Sequence, residues 1–193
     1  AQPVLLSHWF LSYAWMLKRD KERLIDCYKR VDVMPLGSAA FAGTEFPIDR
    51  NFVARQLGFS KISKNSVDAV SDRDFIIEFL SHCAIISQHL SRIAEDIIIW
   101  SSQQFQFIEL SKDFTTGSSI MPQKRNPDFA ELLKAKTGMI YGNLVSILTV
   151  MKGIPFSYNR DMQEDKKPLF SSVETIKDML IVATKMISTI KVN

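Results

Sequence analysis

Glycine and proline are scarce, seven of each among 193 residues, and several of them fall in a few clusters. The shortage excludes a chain broken by frequent turns and leaves long uninterrupted segments, as helical proteins have. Cysteine is rarer still. Cys27 and Cys83 stand apart without CxxC spacing, so buried free thiols in a reducing compartment fit better than a disulfide, and the cytoplasm is the expected location. Of the three histidines, His82 and His89 lie seven apart with no HExxH pair, and a zinc site is not expected. No charge sign dominates. The net charge is +3, and runs such as Lys18 to Arg23 mix both signs, a solvated helix face and not a nucleic-acid stripe. No apolar run is long enough to span a bilayer, and the start has neither a basic region nor a cleavage site, so no membrane partner is expected.

What is present is a 46% hydrophobic composition, enough for a core, which excludes disorder. Apolar residues recur at helical spacing from about Pro3 to Arg30 (Leu6, Trp9, Tyr13, Met16, Leu24, Cys27). A short helix is expected from about Ile48 to Leu57, stopped by Gly58. Asn65 or Ser66 suits a capping position, and so does Ser71 or Asp72 ahead of a long helix through Ile76, Leu80, Cys83, Ile86, Leu90, Ile93, Ile97 and Trp100. The stretch 112–126 reads as a loop, followed by a helix from Asn126-Pro127 with Phe129, Leu132, Met139, Leu144, Ile147 and Met151 inward. A polar loop over 157–165 precedes a last helix, Leu169 to Ile190, running to the end. The expected class is all-α, an elongated bundle of long helices. Its apolar surplus calls for self-association, or for cover by flanking domains. The chain opens Ala1-Gln2-Pro3 without Met and ends inside an apolar period, so both ends look cut.

Two clusters could carry chemistry. Gly117, Ser118 and Ser119, then Lys124, Arg125 and a helix start at Pro127, offer hydroxyls, backbone N–H groups and positive charge, which suits a carboxylate or phosphate. A plain interhelical loop has the same composition, and neither the P-loop spacing nor a GxSxG elbow is present. Tyr158 to Lys167 packs donors and acceptors just before the last helix, as a solvated helix entry also would.

Residues 117–128 read GSSIMPQKRNPD and resemble the signature loop of the fumarase/aspartase superfamily, GSSxMPxKxNP. Within it, LGSAAFAGT at 36–44 with FPIDR at 46–50, DAVSDRD at 68–74 and YNRDMQEDK at 158–166 resemble the argininosuccinate lyase family. An adenylosuccinate lyase usually has His where Gln123 stands. The resemblance covers essentially the whole chain. It implies a central helical-bundle domain over 1–193 of a longer polypeptide, with the terminal domains largely absent, and a cytoplasmic homotetramer whose active sites combine three subunits. The implied reaction, a step of arginine biosynthesis, splits argininosuccinate into fumarate and arginine without metal or organic cofactor.

Site roles follow from the same resemblance. Ser118 matches the serine that exchanges the Cβ proton, with Ser119 beside it. Lys124 and Asn126 match residues holding the adjacent carboxylate, Arg73, Tyr158, Gln163 and Lys166 match contacts to argininosuccinate, and Glu131 matches an acid supporting a catalytic histidine. Proton removal beside a carboxylate builds an aci-carboxylate, which fixed cationic and N–H donors stabilise as an oxyanion hole does. The acid expected on the leaving-group side has no match here, because the family's Thr-His pair falls just ahead of Ala1, so the piece alone is expected to be inactive. The alternatives are a non-catalytic relative of lens-crystallin type and another lyase of the superfamily.

Overall fold

The computed structural model describes residues 2–193, so Ala1 of the expected domain lies outside the described residues. Four long helices dominate: α1 (Leu6–Val31), α4 (Asp74–Ser101), α5 (Asp128–Met151) and α6 (Lys166–Ser188). Two short ones, α2 (Arg50–Leu57) and α3 (Ser66–Ser71), lie between α1 and α4. The all-α expectation holds, and α4 is the central helix, packed against α1, α5 and α6. Its inward positions, Ile76, Leu80, Cys83, Ile86, Leu90, Ile93 and Ile97, are those marked by the threes-and-fours spacing.

Local chemistry sets most boundaries. The Asp49 carboxylate accepts the Phe52 amide at the start of α2, Asn65 accepts those of Val67 and Asp68 at α3, and Gly58 closes α2 at φ 79°. Asp72 accepts the Asp74 amide at 2.7 Å ahead of α4. Burial, acting first, pushes the Asp72 carboxyl up from its ordinary range. α1 starts at Leu6 and not at Pro3.

Two expectations about the later helices fail. Leu132 and Met139, placed inward from the sequence, are 55% and 43% exposed. The buried face of α5 is Ala130, Leu133, Thr137, Ile140 and Ile147, because α5 is apolar on more than one side and its pattern does not single out an inner stripe. The last helix stops at Ser188. Lys191–Val192 (β6) instead pairs antiparallel with Ile108–Glu109 (β3), tying the chain end to the segment after α4. Val33–Met34 (β1) and Lys61–Ile62 (β2) form a parallel two-residue ladder that brackets α2.

Candidate active site

The GSS-rich stretch is a β-hairpin. Thr116–Gly117 (β4) pairs antiparallel with Arg125–Asn126 (β5), leaving 118–124 as the tip, and the Thr116 hydroxyl donates to the Asp128 carboxylate at the start of α5. Within the tip, Ser118 Oγ accepts the backbone N–H groups of Ile120 at 3.3 Å and Met121 at 3.2 Å. A hydroxyl oxygen that already receives two amide donors is better able to carry negative charge, since hydrogen bonds to the charged form favour it. Ser119 is exposed beside it.

Behind the hairpin, a cleft of about 700 Å³ opens between the C-terminal end of α4 and the first turn of α5. Lys112, Lys124, Arg125, Asn126 and Glu131 all line it. Three cations against two carboxylates, Glu109 and Glu131, leave the cleft with an excess of positive charge that favours anions. Lys124, Asn126 and Glu131, singled out from the sequence, all line this one cleft. Arg125 belongs to the cationic cluster read from the sequence, whereas Lys112 was missed, because no spacing rule places it opposite the hairpin.

The second group gathers at the other end of the bundle. Arg73 precedes α4, and its Nε donates to Asp165 Oδ2 at 2.5 Å, with Lys166 Nζ on Asp165 Oδ1 at 3.1 Å. Arg73 and Asp165 are mostly buried, 16% and 5% exposed at their side chains, whereas Lys166 reaches solvent. Arg73 also lines a cavity of about 930 Å³ with Arg30, Lys61, Lys64, Asp68 and Asp72. Tyr158 and Gln163 are exposed on the segment before α6, where Met162 and Asp165 turn inward and fix its pose. Asp165 was not singled out by sequence, since its partner lies 92 residues away.

The two groups do not meet. The hairpin sits at the start of α5 and the 158–166 segment follows its end, so the 24 residues of that helix, about 36 Å of rise, separate them. No side chain among the described residues bridges that span. The block LGSAAFAGT with FPIDR is structural: Arg50 donates from Nε to the Leu36 carbonyl and from its terminal nitrogens to Ser63 O and Oγ, pinning two loops. Gly37 is needed there, because at φ +93° a Cβ would lie 2.7 Å from Arg50 Nε.

An elongated bundle with this hairpin at one end and an ion-paired segment at the other defines a fumarase-like fold. Aligned over the whole chain and 38% of the other, the EDDS lyase structure in complex with formate superposes at TM-score 0.93 and 32% identity. A class II fumarase from Schistosoma mansoni, also over the whole chain and 46% of that protein, gives 0.88 at 19% identity, a likeness of fold alone. The family described as lyase matches residues 1–142, and the chain belongs to it. Argininosuccinate lyases are similar along the full chain: that of Syntrophus aciditrophicus is 59% identical over 193 residues and that of Aquifex aeolicus 55% over 192. The chain spans 41% and 42% of the length of these two relatives. No helix among the described residues is long and apolar enough to cross a membrane.

Proposed function

We propose that this chain is the bundle portion of an argininosuccinate lyase, which eliminates arginine from argininosuccinate to leave fumarate. The observation that carries the reading is Ser118 Oγ held under two backbone amides, in a hairpin backed by the Lys124 cleft. In this reading Ser118, as the alkoxide, takes the Cβ proton of the succinyl group. Lys124 and Asn126 hold the carboxylate on that carbon, where negative charge grows as the C–H bond breaks. The electron pair forms the Cα–Cβ double bond and expels the guanidino nitrogen, which is protonated as it leaves. Glu131, at the edge of the same cleft, orients the histidine of a neighbouring copy, and Ser119 contacts the substrate.

Arg73, Tyr158, Gln163 and Lys166, at the far end of each copy, contact argininosuccinate in a site whose hairpin comes from another copy. The 36 Å of α5 between the groups supports sites built from several copies, in a homotetramer assembled through exposed α5 residues such as Leu132, Met139, Val145 and Leu148. The substrate choice rests on the relatives' names. The buried free thiols of Cys27 and Cys83 support a reducing, cytoplasmic setting for this step of arginine biosynthesis.

The test is formation of fumarate, read by absorbance, from argininosuccinate added to the full-length protein. Ser118→Ala is expected to abolish turnover without changing the oligomer mass, and unchanged turnover would reject the serine's role. Fumarate formed from another succinyl amine, but not from argininosuccinate, would overturn the substrate.

A further inference from the structure

Away from both clusters, α1 and α4 bring together three side chains that the proposed reaction does not use. Cys27 comes from the C-terminal half of α1, and Glu78 and His82 from successive turns of α4. One ligand atom from each lies within 4.8 Å of the other two. Cys27 is 2% exposed. The His82 ring is 14% exposed at the side chain, and neither of its buried nitrogens has a hydrogen-bond partner among the described residues. A buried polar atom left unpaired is costly and calls for an explanation.

The separations suggest one. His82 Nε2 stands 3.7 Å from Glu78 Oε1, too far for a hydrogen bond. Two nitrogen or oxygen ligands sharing a tetrahedral ion, at bond lengths of about 2.1 Å, stand roughly 3.4 Å apart. Residues four apart on a helix project from the same face, so Glu78 and His82 form a ready pair, and Cys27 closes the triangle from the facing helix. We infer that Cys27, Glu78 and His82 form a binding site for a borderline-soft divalent cation such as zinc. On binding, Cys27 releases its thiol proton to solvent as the metal–sulfur bond forms. Glu78 gives one carboxylate oxygen, His82 one ring nitrogen, and water completes the shell.

Histidine spacing along one helix could not reveal this site, because the third ligand lies on another helix. Arg30 is its competitor: its Nε donates to Glu78 Oε1 and Oε2 at 2.9 and 2.8 Å. A terminal nitrogen of the same guanidinium also donates to Glu78 Oε1, but the group is 58% exposed, so water can replace Glu78 as its partner at a cost of about 1 kcal/mol or less.

The experiment is titration of the purified, chelator-treated protein with cobalt(II). Stoichiometric binding with a thiolate-to-cobalt charge-transfer band in the near ultraviolet is expected, the band being displaced by zinc. Cys27→Ser and His82→Gln each abolish the band, whereas Cys83→Ser retains it. Arg30→Gln tightens binding up to about fivefold, the most that an exposed ion pair of this kind opposes. Circular dichroism identifies the folded variants. His82→Gln removes a side chain that makes no hydrogen bond, so it provides the decisive arm if Cys27→Ser fails to fold. A folded protein with no thiolate–cobalt band, a band that survives His82→Gln or Cys27→Ser, or one that depends on Cys83 overturns the inference.

Discussion

Two inactive variants should rescue one another, by an amount that the geometry sets. Ser118→Ala disables the hairpin at the start of α5, and Lys166→Ala disables the segment beyond its end, 24 helical residues or about 36 Å away. If both groups were needed at one site within one copy, every site in a mixed oligomer would carry one defect or the other. If a site takes its hairpin from one copy and its 158–166 segment from another, random assembly of equal amounts leaves about a quarter of the sites with both parts intact. The two variants, bearing different tags, would be co-expressed and the mixed oligomers isolated through both tags. Fumarate formation would then be compared with each parent and with the unmodified protein. Activity near a quarter of the unmodified value is expected. Activity no greater than the parents, in oligomers proven to be mixed, would refute the division of the site between copies.

The remaining predictions concern the scaffold. Asp165→Ala leaves the mostly buried Arg73 guanidinium without its carboxylate, and stability should fall by roughly 3–5 kcal/mol. At ~2–4 °C per kcal/mol for a domain of this size, thermal melting should register a drop of about 6–20 °C, and a drop under about 3 °C would mean that Arg73 is solvated. Burial pushes the Cys83 thiol up from its ordinary value of 9.0 to about 12. The unfolded chain therefore releases this proton first. The stabilisation is complete below pH 9 and is lost as pH rises from 9 toward 12, by on the order of 1 kcal/mol at pH 10. Urea midpoints at pH 8 and pH 10 should converge in Cys83→Ala relative to the parent, and an equal loss in both would reject the assignment. Tyr13 is raised in the same direction, by burial first and then by its hydrogen bond to Asp96, so Tyr13→Phe should also flatten the alkaline decline.

What could be read from the sequence was what neighbouring residues decide. The α4 periodicity and the Asn65 and Gly58 boundaries are local properties, and each emerged as expected, whereas the stretch 112–126, read as a loop, contains a short helical turn at 112–114 and the hairpin ladder. Pairings across long separations were not legible. Arg73 meets Asp165 over 92 residues, and Tyr13 donates to Asp96 over 83. The terminal ladder is of the same kind: residues 191–192 look like a continuing helix until Ile108 and Glu109 give them a partner. The hairpin was half legible. Its composition announced hydroxyls and cations, but the amide bonds onto Ser118 depend on a turn geometry that composition does not encode.

The misassigned face of α5 has a physical cause that bears on function. A helix that buries one stripe within its own chain and a second against another copy is apolar on two sides, and periodicity alone cannot rank them. Ala130, Leu133, Ile140 and Ile147 fill the first stripe; Leu132, Met139, Val145 and Leu148 lie outside it. The same helix separates the two groups of candidate site residues. The outward residues of α5 therefore connect the two readings: docking a second copy along this helix, antiparallel, would set the hairpin of one beside the 158–166 segment of the other. Charged substitutions at Val145 and Leu148 should then abolish assembly and turnover together while leaving the monomer helical, which analytical ultracentrifugation and circular dichroism can separate. A variant that is monomeric yet active would break the connection.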